Sequence, residues 1–161
     1  MQELVQAVQH DLRGVVRALR PSPAAEFGLA EALRMLADGA PRHAGIAVTV
    51  HCDPGAADAD PEAADDIYYF ISEAVHNTVK HAAAVSITVE ISRVPGSGIT
   101  ATVTDDGVGF TPSEAPVGYG LPSMRYRASR WGGTISFARP TRGGTQIRAD
   151  FPLALAKMAT R

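Results

Sequence analysis

Ile71-Ser72-Glu73-Ala74-Val75-His76-Asn77-Thr78-Val79-Lys80-His81 is the stretch on which the fold turns. At about 100° per residue, Ile67, Phe70, Ile71, Ala74, Val75, Thr78 and Ala82 recur at i, i+3 and i+4 and form a stripe that can face a core. Glu73 and Asn77 stand one turn apart on a second stripe, with Lys80 close beside them. An amphipathic helix thus carries a carboxylate, an amide and a cation off its buried face. Carboxylate and amide oxygens are hard ligands that suit Mg²⁺, and a lysine ammonium suits phosphate. The pattern predicts a helix over 61–81, with Asp60 as its cap and Pro61 in its first turn. It points to a magnesium-nucleotide site, provided the remaining chain supplies a place for base and phosphates.

Downstream, residues 85–91 and 99–104 alternate strictly between apolar and polar, and Pro95-Gly96-Ser97-Gly98 between them makes a hairpin. Asp105-Asp106-Gly107-Val108-Gly109-Phe110 follows the second of these strands. Gly118-Tyr119-Gly120-Leu121-Pro122-Ser123-Met124 comes after a short polar gap and opens a helix over 122–131, ended by Gly132-Gly133. Thr134 to Ala138 and Thr145 to Phe151 form a second hairpin around Arg142-Gly143-Gly144. Upstream, Leu4, Val5, Val8, Leu12, Val15, Val16 and Leu19 repeat at helical spacing until Pro21 and Pro23 stop them. Phe27, Leu29, Ala32, Leu33 and Leu36 mark a second helix ending near Gly39 and Pro41, and residues 46–51 alternate as a strand. The loop over 53–60 is rich in Pro, Gly, Ala and Asp. The sum is an α+β two-layer sandwich: a mixed, mostly antiparallel sheet of about five strands covered on one face by about three helices.

Composition narrows the classes. With 161 residues, one compact domain plus a tail is the natural division. A formal net charge of −2 supplies no basic field for nucleic acid. Cys52 is the one cysteine, so no disulfide forms within the chain, as suits a reducing compartment. No apolar run approaches the ~20 residues of a membrane span, so no membrane contact is expected. Met1 to Val5 already fall within a helical pattern, as expected of a piece of a longer chain.

The four blocks, in this order, resemble the N box, the two glycine boxes and the closing Gly-Thr of the HATPase (Bergerat-type) ATP-binding domain. That domain is shared by sensor histidine kinases, gyrase, Hsp90, MutL and the anti-sigma serine kinases. The resemblance spans about residues 61–152. It implies that Asn77 ligates a Mg²⁺ bridging the phosphates, and that Glu73 is the catalytic carboxylate, ordering the metal's water or polarising the attacking nucleophile. Asp105, at a strand end, accepts from the exocyclic amine of adenine, where guanine has a carbonyl. Gly107 and Gly109 let backbone approach the base. Gly118 and Gly120 hinge a lid whose helix N-terminus meets phosphate, with Leu121 following them into the site. Thr145 lies either at the adenine edge or simply on a strand face. Lys80 either reaches phosphate or complements its helix C-terminus. Arg125 and Arg127 serve either the lid or the surface. Met124 and Trp131 belong to the core, His81 is structural, and Asp106, where the family often has Asn, has a supporting part at most.

Leu19-Arg20-Pro21 followed by Glu26-Phe27-Gly28-Leu29 resembles the junction between dimerisation helices and ATP domain in sensor histidine kinases, most of all the nitrate-sensor and DesK-like subfamily. Only eight residues separate Gly109 from Gly118, a short lid as in those kinases. The expected organisation is a dimerisation-helix remnant over 1–22, the ATP-binding domain over 23–153 and a tail over 154–161. The implied activity is transfer of the γ-phosphate to a histidine on an absent dimerisation domain, then to a response regulator. The parent is expected to be a homodimer working in the cytoplasm. His10-Asp11 imitates a phosphoacceptor pair but lies a whole helical hairpin too late, so this piece should bind Mg-ATP without phosphorylating itself. Two other readings compete: an anti-sigma-type serine kinase, which would lack the Leu-Arg-Pro lead-in, and a non-catalytic nucleotide-binding module, against which the intact Glu73, Asn77, Asp105 and glycines argue.

Overall fold

The computed structural model describes residues 22–109 and 120–153. The expected helix over 1–20 with His10, the glycine at 118 and the tail over 154–161 lie outside the described residues. In chain order the elements are α1 (Pro23–Phe27), α2 (Leu29–Ala44), β1 (Ala47–Cys52), α3 (Pro54–Ala57), α4 (Pro61–His81), β2 (Ser86–Val94), β3 (Gly98–Asp105), α5 (Gly120–Ser129), β4 (Ile135–Ala138) and β5 (Gln146–Phe151). The five strands lie in the order β1-β2-β3-β5-β4. Only β1 and β2 run parallel, and the other neighbours are antiparallel. This is the expected two-layer α+β sandwich, with three long helices and two short ones among the described residues.

The core follows from the two periodicities. Ile87, Val89 and Ile91 on β2, Ala101 and Val103 on β3, and Ile147, Ala149 and Phe151 on β5 alternate toward one face and are buried. The i, i+3, i+4 stripe of α4 meets them: Ile67, Phe70, Ile71 and Ala74 are fully enclosed, and Phe70 packs edge-on against Phe151 with ring centroids 6.0 Å apart. Each such large side chain contributes roughly 1.5–3 kcal/mol by leaving water. The opposite face of the sheet carries Thr88, Thr100, Thr102, Thr104 and Arg148, and it is polar. Asp60 caps α4 by accepting from the Glu62 amide, with Pro61 in the first turn as expected. Ser22 caps α1 through the Ala24 and Ala25 amides and is itself buried.

Three local expectations change. Gly28, at φ 82°, splits the predicted second helix and leaves Phe27 exposed at 52% instead of in the core. After that break, α2 runs through Gly39 and Pro41 to Ala44 and ends at Gly45, φ 66°. A late proline removes one amide without stopping the following turn, whereas a glycine in the left-handed region does end a helix. The 53–60 loop contains a short helix, α3, capped by Asp53 through the Gly55 amide.

One tie between helices has no counterpart among the expectations. Asp66 on α4 is 1% exposed, and it accepts from Arg127 Nη1 at 2.9 Å, Arg130 Nη1 at 2.7 Å and Trp131 Nε1 at 2.9 Å. The Arg127 guanidinium also lies over the Tyr69 ring, 4.4 Å from its centroid. Arg127 and Trp131 thereby hold α5 against α4. Asp66→Ala should lower unfolding stability by about 2 kcal/mol, less than the ~3–5 kcal/mol of a fully enclosed pair because Arg130 keeps water access. Chemical denaturation checks this: a lower midpoint at unchanged slope is expected, and an unchanged midpoint would refute the tie.

Candidate functional site

Asp105 ends β3 and is 6% exposed. Its Oδ1 accepts from the Gly107 amide at 2.9 Å and the Thr145 amide at 3.2 Å, and its Oδ2 accepts from the Thr78 hydroxyl at 3.3 Å. The Asp105 amide in turn donates to the Thr145 carbonyl at 2.9 Å. Three elements therefore meet at one carboxylate: the end of β3, the start of β5 and the last turns of α4. Oδ2 keeps acceptor capacity beyond its single donor. Beside it, Thr145 is 3% exposed and its Oγ1 is a buried oxygen with no hydrogen-bond partner. A buried hydroxyl in that condition costs about 1–3 kcal/mol, which a polar group of a ligand would relieve.

Gly143 and Gly144 make this meeting possible. Both have left-handed φ, 91° and 83°, and a Cβ at Gly144 would strike the Asp105 carbonyl. Gly107 meets the helix. The volume a Cβ would need there is already taken by the Ala82 carbonyl, and the next amide, Val108, donates to that same carbonyl at 2.8 Å. Its bareness lets the loop pack on the end of α4.

Glu73 and Asn77 lie half-buried on α4, one turn apart. The first residue of α5 sits directly over them: a Cβ on Gly120 would come 2.5 Å from Glu73 Oε1 and 3.2 Å from Asn77 Nδ2. Glu73, Asn77 and Gly120 thus converge, and Asn77 is adjacent in sequence to Thr78, whose hydroxyl reaches Asp105. Carboxylate and amide face the amide-rich start of α5, where negative charge is favoured. Lys80 stands exposed in the last turn of the same helix. Leu121 is half-buried and packs on the core, as does Trp131, while Met124 is fully buried. Arg125 lies over the Phe137 ring, 5.9 Å from its centroid.

Sequence reasoning placed Thr78 in the core stripe and did not assign it to the site. Its signal was available: a hydroxyl within an apolar stripe needs a partner when buried. Asp106 proves supportive, as expected, but toward the sheet. It accepts from the Val85 amide at 2.9 Å, the Ser86 amide at 3.0 Å and the Ser86 hydroxyl at 2.7 Å. The Ser86 hydroxyl first, then the Ser86 and Val85 amides, hold its carboxyl below the usual aspartate range. A depressed folded value means that this contribution to stability is present at neutral pH and is lost as the pH falls through the folded value. Asp106→Asn should therefore be less stable than the parent near pH 7, with the gap closing in acid. Thermal unfolding followed across pH tests it; a gap that stays constant into acid would contradict the assignment.

Residues 62–155 match the family model described as histidine kinase-, DNA gyrase B- and HSP90-like ATPase. Among curated relatives, the chain is 35% identical over 124 residues to the nitrate/nitrite sensor protein NarQ of Escherichia coli, covering 76% of this chain and 22% of that protein. It is 30% identical over 145 residues to the oxygen sensor histidine kinase NreB of Staphylococcus carnosus, covering 89% of this chain and 42% of that one. The chain thus spans well under half the length of these relatives. Among solved structures, the histidine kinase domain of the Erythrobacter litoralis blue-light activated histidine kinase superposes with a TM-score of 0.68 at 26% identity, covering 81% of this chain and 64% of that one. The ATP binding domain of PrrB from Mycobacterium tuberculosis, at 21% identity, shares the fold with a TM-score of 0.58 over 73% of this chain and 88% of that domain.

Proposed function

The chain belongs to the histidine kinase-, DNA gyrase B- and HSP90-like ATPase family, as the ATP-binding catalytic domain of a sensor histidine kinase, and from that we propose how its residues hold Mg-ATP and hand on the γ-phosphate. The observation that carries the reading is the pairing of Asp105 Oδ2, with acceptor capacity to spare, and the unpartnered Thr145 Oγ1, at the end of the helix that also bears Glu73 and Asn77. An aminated purine edge offers a donor for the carboxylate and a polar neighbour for the hydroxyl. The chemistry of the donor set fits a magnesium polyphosphate at the other end: Asn77 would hold the ion through its amide oxygen and Glu73 through a water. When bound, the ion neutralises phosphate charge.

In this reading the chain's own residues mainly position and exclude water, as phosphoryl transfer requires. Asp105 fixes the adenine amine. The amides at the start of α5, from Gly120, face the phosphates, with Gly118 as the other hinge of the lid. Gly109 lies along the base, Leu121 closes the apolar side, and Lys80 reaches toward phosphate. Glu73 orients the incoming nucleophile or accepts its proton. The acceptor is a histidine on a dimerisation domain preceding this one in a homodimeric parent, and a response regulator receives the phosphate next. We assign 23–153 to the ATP domain, 1–22 to a dimerisation-helix remnant and 154–161 to a tail, and place the domain in the cytoplasm. No helix among the described residues is long and apolar enough to cross a membrane.

Two substitutions separate the ends of the site. Asp105→Asn retains an oxygen for the Gly107 and Thr145 amides but presents an amide N–H₂ to the adenine amine. Losing the charge-assisted bond of ~1.5–3 kcal/mol weakens ATP about 10- to 100-fold. Asn77→Ala should leave adenosine affinity unchanged and remove the Mg²⁺-dependent part of ATP affinity. Calorimetric titration with ATP, GTP and adenosine, with and without Mg²⁺, decides, and two variants binding Mg-ATP like the parent would sink the assignment. Incubation with labelled ATP should leave the chain unlabelled, and an acid-labile label on His10 would overturn the view that its acceptor lies elsewhere.

A further inference from the structure

We infer that Arg139 is a positioning residue of the nucleotide site, gripping the Val108–Gly109 end of the loop after β3 although it lies outside every motif that marks the site. The inference rests on the ATP-binding reading above. Arg139 directly follows β4, on the hairpin that delivers Thr145 to Asp105. Its Nη2 donates to the Val108 carbonyl at 3.0 Å, across 31 residues of chain. Its guanidinium also lies flush against Gly109: a Cβ there would come 3.1 Å from Cζ, Nε and Nη2. Gly109 is itself in the left-handed region, φ 85°. A side chain at that position would be strained and would push the arginine away.

Beyond Asp106, which is tied to β2, the loop has three holds among the described residues. Asp105 Oδ1 accepts from the Gly107 amide within the loop itself. The Ala82 carbonyl accepts from the Val108 amide and fixes the loop to α4. Of these three, Arg139 comes from the opposite wall, so it adds, at the far end of the loop, a second link from the β4–β5 hairpin to the one that Thr145 makes at Asp105. A planar guanidinium can bond the carbonyl and pack flat on the glycine at once. A lysine ammonium, as a compact point charge, can do only the first. Arg139 is exposed, so its removal takes little from the core. The effect should fall on ligand affinity and spare stability.

The alternative use of a cation at this rim is direct attraction to phosphate, and the two uses separate by ligand. Parent, Arg139→Ala and Arg139→Lys are titrated calorimetrically with adenosine, ADP and ATP in Mg²⁺, and their melting temperatures are recorded. If Arg139 positions the loop, Arg139→Ala weakens all three ligands by a similar factor, about five- to tenfold, at a nearly unchanged melting temperature. Arg139→Lys then recovers only part of the loss. A loss for ATP and ADP that spares adenosine assigns Arg139 to phosphate and overturns the proposal, as does unchanged affinity for all three. If the parent binds none of the three, the ATP reading itself fails and takes this inference with it, an outcome distinct from a parent that binds while Arg139→Ala binds equally well.

Discussion

The architecture depends on one buried carboxylate being held from three sides. Asp105 has almost no contact with water, and the Gly107 and Thr145 amides and the Thr78 hydroxyl all point at it, so hydrogen bonds offset its burial. Each donor comes from a different place in the chain. Satisfying one side chain therefore fixes where β3 ends, where β5 begins and how α4 is rotated over the sheet. The apolar stripe of α4 supplies most of the adhesion, but it would tolerate a small rotation. The hydroxyl on Thr78 does not.

The glycines read most naturally as parts of that arrangement. Gly144 yields space to the Asp105 carbonyl, Gly107 yields it to the Ala82 carbonyl, and Gly120 yields it to Glu73. In each case the neighbour that occupies the vacated volume belongs to the protein. A pattern that looks like an open cradle for a ligand is in large part a device for bringing backbone segments together closely enough to make one. The features that the proposed reading gives to a ligand are then few: a spare lone pair on Asp105, an unpartnered hydroxyl on Thr145, and the oxygens of Glu73 and Asn77 under the start of α5.

Much of this was legible in the sequence because periodicity reports burial. The alternation over 85–91 and 99–104 and the stripe from Ile67 to Thr78 gave the sheet, the long helix and the face that joins them. Glu73 and Asn77 share one stripe of α4, beside the Thr78 that meets Asp105, because each sits at a fixed phase of those elements. What the sequence left hidden depends on contacts between segments far apart in the chain. Asp66 reads as a solvated residue near a helix start until Arg127, Arg130 and Trp131 from α5 close over it. Phe27 reads as core until the φ of Gly28 turns it outward. Pro41 reads as a helix stop, yet the chain runs on for another turn. Thr78 was within reach, had its hydroxyl been given weight against its apolar neighbours.

The packing of Gly107 and Val108 on the Ala82 carbonyl has a geometric consequence. The loop beyond Asp105 is bolted to the same helix that carries Glu73 and Asn77, so Asp105 and that pair cannot slide relative to one another without unwinding the helix. With a rise of ~1.5 Å per residue, the five steps from Glu73 to Thr78 set a spacing of about 7.5 Å along one rigid rod. The helix acts as a gauge for its occupant. On the proposed reading, a molecule of the wrong length would satisfy the Asp105 carboxylate or the oxygens of Glu73 and Asn77, but not both at once.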